Sequence, residues 1–335
     1  MTRSRKARQP MASEETLIVD CDTGIDDALA LLYLLADPGV RIGAVTTVFG
    51  NTDPATAALN TLRVLELVGR SDIPVAVGAE RNWRGTRHLA PDVHGADGLG
   101  NTDLPAPRTS PVAEPAAELI VRTARENPGT VHLLAVGPLT NLAAALRLEP
   151  ELPRLVKRVT IMGGAMLHPG NVTPVAEANI SNDPEAARIV LRAGWPVTLV
   201  PLDATMTEAI TEEQRRRLAE FGSPVTSFTA AILDLYLGFY AQHAFGERKA
   251  ACHDPLAAAI AVGDVEPLLA PVVPVDVETG DGPARGMTVA DLRGQYRGFP
   301  ESGEATVRVV LETDRTFGDR LVDRLCAEAP NLGAA

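Results

Sequence analysis

The sequence predicts an α/β fold: an open, mostly parallel central sheet with helices on both faces, in a single domain. Three observations predict it. Short β-branched runs alternate with helical patterns, the rhythm of a parallel sheet with covering helices. Polar residues and tight turns fall where the apolar runs stop, the usual ligand edge of such a sheet. No internal repeat and no linker divides the chain.

The first run, 16–19, reads as a buried strand, and 28–36 as a helix apolar nearly all round. Gly24 sits at the turn between them, read here as a residue with φ > 0. A second strand covers 40–48, Asp53-Pro54 opens a helix to about 68, and 73–77 is a third strand. Residues 78–111 carry no periodicity and are rich in Gly, Pro, Asn and Asp, so they read as a binding loop or lid. A helix over 112–126, a strand over 130–136, and a turn at Gly137-Pro138-Leu139-Thr140-Asn141 into another helix follow. Residues 158–162 form a strand closing in Gly163-Gly164, then a loop runs to 182. A helix over 183–192 and a strand over 197–202 precede a mainly helical stretch, 205–263. Strands at 273–278 and 306–311 and a helix over 317–327 complete the chain.

Composition excludes several classes. Hydrophobic residues make up 45% of 335, enough for a substantial core, so disorder is not the default. Acidic residues number 43 against 31 basic, for a net charge of −12, which argues against a nucleic-acid partner. No stretch offers the ~18 apolar residues of a membrane helix. Cys21, Cys252 and Cys326 match neither a disulfide framework nor a zinc pattern, and a reduced, cytoplasmic setting is expected. Residues 1–15 are polar, with no secretory h-region, and read as a disordered tail.

The chemistry concentrates in Asp20-Cys21-Asp22-Thr23-Gly24-Ile25-Asp26-Asp27, where a strand ends and a helix begins. Asp26 and Asp27 alone would be an ordinary acidic first helical turn. Asp20 and Asp22 change that balance, because four carboxylates exceed what one helix N-terminus can neutralise. A bound divalent metal is the simplest counterion. Strand residues two apart point the same way, so both Asp20 and Asp22 face the metal or one braces the site from behind.

Asn171, Glu177 and Asn179 lie within one short loop. Such a set is either a polar surface or the amide-and-carboxylate lining that a polyhydroxylated ligand needs. In His253-Asp254-Pro255, helix-start grammar accounts for Asp254 but says nothing of His253. Cys21 and Cys252 read as small buried hydrophobes.

These residues resemble the inosine–uridine-preferring nucleoside hydrolases. The resemblance rests on the opening aspartate stretch, then Thr46-Thr47-Val48-Phe49-Gly50-Asn51, Gly137-Pro138-Leu139-Thr140-Asn141 and Met162-Gly163-Gly164. Val175-Ala176-Glu177-Ala178-Asn179, Cys252-His253-Asp254-Pro255 and Gly286-Met287-Thr288-Val289-Ala290-Asp291 complete it, in order, over about 16–325. It implies a hydrolase-like catalytic domain over 16–330, one bound Ca²⁺, and hydrolysis of ribonucleosides to base and ribose. It implies metal ligation by Asp22, Asp27, Asp254 and the backbone carbonyl of Val136. Asp26, Asn51, Asn171, Glu177 and Asn179 would bind the ribose. Asp22 would activate water, His253 would assist the leaving base, and His94 would be a second contact there. A homodimer or homotetramer is implied as well.

The family's usual Pro after the second aspartate is Thr23 here, and 240–252, expected beside the base, matches less well. Two rival readings exist. Asp20-x-Asp22 also resembles haloacid dehalogenase-like phosphatases, but Gly24 stands where that pattern wants Thr or Val. A non-catalytic, calcium-dependent ribose sensor would keep the sugar and metal ligands without an acid at the base end, and His253 counts against it.

Overall fold

Thr16–Cys21 forms β1, six residues all buried, as its run of Leu17, Ile18 and Val19 requires. The computed structural model describes residues 15–102, 104–300 and 305–328. After β1 come α1 (Ile25–Leu35), β2 (Ile42–Thr47), α2 (Pro54–Leu67) and β3 (Val75–Val77). Next are α3 (Pro91–His94), α4 (Ala116–Glu126), β4 (Val131–Ala135), α5 (Thr140–Leu148), α6 (Leu152–Leu155) and β5 (Val156–Met162). The chain continues with α7 (Ala178–Asn182), α8 (Pro184–Leu191), β6 (Val197–Val200) and α9 (Leu202–Thr205). β7 (Ala209–Thr211), α10 (Glu212–Phe221) and α11 (Pro224–Tyr240) follow, and a π-helical turn, Ala241–Phe245, prolongs α11. Then come β8 (Lys249–Ala251), α12 (His253–Ala261), β9 (Val272–Val273), β10 (Val275–Val277) and β11 (Thr288–Ala290). A 3₁₀ turn (Arg293–Arg297), β12 (Val307–Val309) and α13 (Phe317–Glu328) end the described chain.

The main sheet runs β3-β2-β1-β4-β5-β6-β12-β9. Every pairing is parallel except β12 with β9. The chain builds outward from β1 to β3, then returns to place β4 on the other side of β1. The crevice beyond the ends of β1 and β4 is therefore the point where strand order reverses, the position at which open α/β sheets bind ligands.

Alternation along β1 divides the core. Leu17, Val19 and Cys21 pack with α1, α11 and α12 on one face. Ile18 packs with α4, α5 and α8 on the other. All eleven residues of α1 are buried, and each buried leucine contributes about 1.5–3 kcal/mol. α1 is thereby fixed as a rigid platform behind its own N-terminus.

The expected open α/β sheet is present, with local differences. The helix expected from 112 begins at Ala116, because Val112 is instead bridged to Ala76 beside β3. The 165–182 loop contains α7, one turn capped by Glu177 and too short to show a helical period. In the helical stretch 205–263, β7 and β8 pair antiparallel. Residues 273–278 divide at Pro274, and β10 leaves the main sheet to pair with β11. Of the tail expected at 1–15, residues 1–14 lie outside the described residues, whereas Glu15 is buried and ion-paired with Lys157 and Arg158, both at 2.6 Å. The three cysteines are buried and free. Among the described residues, no helix is long and apolar enough to cross a membrane.

Candidate active site

The turn from β1 to α1 is built by close approach. Gly24 has φ −97°, not the positive value expected from the sequence. A Cβ there would lie 2.5 Å from Nδ1 of His94 and 2.8 Å from Nδ2 of Asn51. Glycine is needed because two site residues press against the backbone. His94 Nδ1 accepts from the Ile25 N–H at 3.1 Å, closing one of the free donors at the start of α1. Its ring is buried, and burial holds it neutral, lowering its pKa to about 4.

The four aspartates separate into two tiers. Asp20 faces away from the crevice, its Oδ1 accepting from Thr46 Oγ1 at 2.6 Å and Asn141 Nδ2 at 2.8 Å. Asn141 also bonds the Thr47 carbonyl and the Ala79 N–H, so Asp20 braces the ends of β1, β2 and β3 together. Asp22 and Asp27 meet carboxyl to carboxyl. Asn51 ties both down, its N–H donating to Asp22 Oδ2 at 2.7 Å and its Nδ2 to Asp27 Oδ2 at 2.8 Å. Asp27 also accepts from the N–H groups of Asp22 and Gly24. Gly50 and Gly137 leave room for Asp22, since a Cβ on them would lie 1.9 Å and 3.1 Å from its oxygens.

Asp26, Asp27 and Asp254 bring carboxylate oxygens within 4.8 Å of one another, all buried. Asp26 Oδ2 accepts from the Tyr236 hydroxyl at 3.0 Å, while its Oδ1 is buried with no hydrogen-bond partner. Burial pushes Asp26 and Asp27 up to about 6. Burial raises Asp22 and Asp254 well above the usual carboxylate range, and the charges of Asp26, Asp27, Asp22 and Glu177 raise Asp254 further. Crowded, desolvated carboxylates with an orphaned oxygen are a mismatch that an oxygen-seeking divalent cation relieves.

On the β5 side of the crevice stand Glu177 and Asn179. Glu177 is buried and accepts from the N–H groups of Gly164 (2.9 Å), Asn179 (2.9 Å) and Ile180 (3.1 Å). Burial raises it to about 6 despite these donors. Asn179 Nδ2 donates to the carbonyls of Val136 (2.9 Å) and Met162 (3.2 Å), joining the ends of β4 and β5. Asn171 is exposed, its Oδ1 accepting from the N–H of Ala178, the residue between Glu177 and Asn179. Asp203 grips the intervening turn through the N–H groups of Met166, Leu167 and His168.

His253 begins α12 beside Asp254 and has both ring nitrogens engaged. Nδ1 lies 2.7 Å from Thr205 Oγ1 and Nε2 lies 2.6 Å from the Tyr240 hydroxyl. Burial lowers its pKa to about 3, so the imidazole is neutral. Tyr240 packs edge-on to Tyr236 at 5.0 Å and stacks with Phe245 at 5.7 Å. Tyr236 in turn lies 5.8 Å from His94. These rings form an aromatic wall at one end of the carboxylate cluster.

Comparison with known proteins places this geometry. The model of the inosine–uridine preferring nucleoside hydrolases matches residues 17–317. The chain belongs to that family. It is a nucleoside hydrolase. Its relatives include the pyrimidine-specific ribonucleoside hydrolase RihA of Citrobacter koseri, 40% identical over 312 residues, covering 92% of this chain and 97% of the relative. RihA of Salmonella arizonae is 39% identical over 310 residues, with the same coverage. Among solved structures, a plant nucleoside hydrolase superposes with TM-score 0.86 at 32% identity, covering 94% of this chain and 99% of the other. A purine-preferring ribonucleoside hydrolase from Gardnerella vaginalis gives TM-score 0.86 at 29% identity, with the same coverage.

Within this nucleoside hydrolase, the structure gathers Asp22, Asp26, Asp27, Asn51, Glu177, Asn179, His253 and Asp254 at one crevice, with the Val136 carbonyl held by Asn179. Sequence reasoning missed Tyr236 and Thr205, and it placed 240–252 beside the base without giving Tyr240 a role. The two tyrosines lie four residues apart on α11, hence on one helical face, and that spacing is the signal that could have found them.

Proposed function

We propose that this nucleoside hydrolase cleaves the N-glycosidic bond of ribonucleosides, prefers pyrimidine bases, and holds Ca²⁺ in its aspartate cluster. The observation that carries the reading is the set of buried carboxylates around the partnerless Asp26 Oδ1. Asp22, Asp27, Asp254 and the Val136 carbonyl would hold the ion, an all-oxygen set suited to calcium. Asp26 keeps Oδ1 for ligand while Tyr236 occupies Oδ2. When bound, Ca²⁺ supplies a fixed positive charge that orients sugar hydroxyls and makes a nearby water more acidic.

Cleavage of the C1′–N bond builds positive charge on the ribose and negative charge on the base. Asp22 takes the proton of the attacking water as general base. The surrounding carboxylates stabilise the cationic ring. Asn51, Glu177 and Asn179 hold the sugar, with Asn171 at the rim. At the base end, His253 acts through Tyr240. With its proton on Nε2, His253 donates to the phenol oxygen and accepts from Thr205, so the Tyr240 hydrogen, shared with the neighbouring Tyr236 hydroxyl, is the one to pass to the departing base. His94, with Nδ1 accepting from Ile25, carries its proton on Nε2 and packs beside Tyr236 at the same end.

The pyrimidine preference rests on the relatives at 40% and 39% identity, both named pyrimidine-specific. A homodimer or homotetramer and a cytoplasmic setting belong to the same proposal, the latter in keeping with three free thiols. Ribose release from uridine, cytidine, inosine and adenosine tests the substrate reading. Higher kcat/KM on the two pyrimidines supports it, and higher values on the purines would overturn the preference.

A further inference from the structure

The segment Gly286–Asp291 is part of the family resemblance, yet the chemistry above gives it no role. Its Thr288, on β11, is 1% exposed and lies outside the main sheet. The hydroxyl makes two bonds to one residue of the turn after β5. It accepts from the Ala165 N–H at 2.9 Å and donates to the Ala165 carbonyl at 2.9 Å. A single side chain thus replaces the pairing a neighbouring strand would give, and satisfies two main-chain groups that burial would otherwise leave costly.

The neighbouring residue connects this contact to the sugar side of the crevice. Gly164 sits at φ +83°, and a Cβ on it would lie 2.9 Å from Thr288 Oγ1, so the turn and β11 are in tight contact. The Gly164 N–H is one of the three donors that orient the Glu177 carboxylate. The same hairpin also packs against the turn that carries Glu177. A Cβ on Gly286 would lie 3.2 Å from the Ala176 Cβ and 3.1 Å from the Ser181 Cα, the residues flanking the Glu177 turn.

We propose that Thr288 is a positioning residue for the hydrolysis: by fixing Ala165 it aims the Gly164 N–H at Glu177 and so sets the carboxylate that holds the ribose. This rests on the assignment of Glu177 to the sugar. Loss of the hydroxyl leaves the reacting bond untouched and loosens one charge-assisted donor to Glu177, so the effect falls mainly on KM.

The test is a double-mutant cycle on uridine with the calcium-loaded full chain, measuring kcat and KM for wild type, Thr288→Val, Glu177→Gln and the pair. The expected result is a rise of about tenfold in KM for Thr288→Val, the scale of one hydrogen bond to a charged group. Thr288→Ser restores wild-type values, and Thr288→Val adds no further loss once Glu177 is Gln. Unchanged parameters in Thr288→Val overturn the proposal, as does an equal loss in the Glu177→Gln background, which would mean a general packing effect. A silent Glu177→Gln removes the sugar assignment and the positioning role with it, a result distinct from a silent Thr288→Val. Should Thr288→Val not fold, Thr288→Cys, a weak donor of similar size, is read by the same comparison.

Discussion

The Tyr240 hydroxyl lies 2.6 Å from Nε2 of His253, and Thr205 Oγ1 closes the other side of the imidazole at 2.7 Å. The histidine is thereby buried, neutral and engaged at both ring nitrogens, and the proposed assistance to the leaving base passes through the phenol. Tyr240→Phe keeps the ring packing and removes the hydroxyl. Its kcat on uridine should fall by about a hundredfold, the scale of a lost general acid. On an activated p-nitrophenyl riboside, whose leaving group needs no proton, kcat should stay within a few-fold of wild type. Equal losses on both substrates would remove Tyr240 and His253 from leaving-group assistance.

Asp22 is predicted to separate catalysis from folding. Asp22→Asn should lower kcat by about 10²–10⁴. It also removes one charge from a crowded acidic cluster, so the melting temperature after chelation should hold or rise. A near-normal rate on uridine would take Asp22 out of the base role.

The carboxylates give a pH signature with a definite sign. Asp26 and Asp27 titrate near 6 in the fold against an ordinary 3.8, so without a cation the folded chain binds more protons across about pH 4 to 6. Their contribution to stability is present at low pH and lost as pH rises through that window. His94 and His253, lowered to about 4 and about 3, act the other way: stability is lost as pH falls below about 6.5, where the unfolded imidazoles take up protons and the folded ones do not. A cation binds only ionised carboxylates. The melting-temperature gap between calcium-loaded and chelated protein should therefore widen from about pH 4 to about pH 7, while the histidines, neutral in both forms, cancel. Calorimetry across that range checks it, and a constant or narrowing gap would contradict it.

Gly24 is predicted to tolerate nothing larger. Gly24→Ala pushes a methyl group into His94 and Asn51, and should cost about 1–3 kcal/mol by overpacking. Chemical denaturation of the variant reads the loss. An unchanged midpoint would show that His94 and Asn51 move aside freely.

Much of the site was legible in the sequence because its residues cluster locally. Asp22, Asp26 and Asp27 were found from crowding alone, and their strand-to-helix setting placed them at the sheet edge. Sequence alone leaves Asp20 between two roles, and only the bonds from Thr46 and Asn141, each on a different element, make it a brace. Gly24 was correctly singled out for the wrong reason, since its neighbours His94 and Asn51 arrive from distant sequence. Tyr236 and Tyr240 lie in a stretch that reads only as mainly helical, with 240–252 expected beside the base, and their polar tips gain roles only beside Asp26 and His253. The fold was legible where strands are long and apolar. It was not at β7, β8 and α7, three to five residues each, which lack the apolar β-branched run that marks the equally short β3 and β12.

The most direct measurement of the central claim is ribose release from uridine by the purified chain, before and after calcium chelation, and again after calcium is restored. Release should fall on chelation and return on re-addition, with Asp254→Ala inactive throughout. Release that survives complete removal of the ion, or none at all with calcium bound, would contradict it.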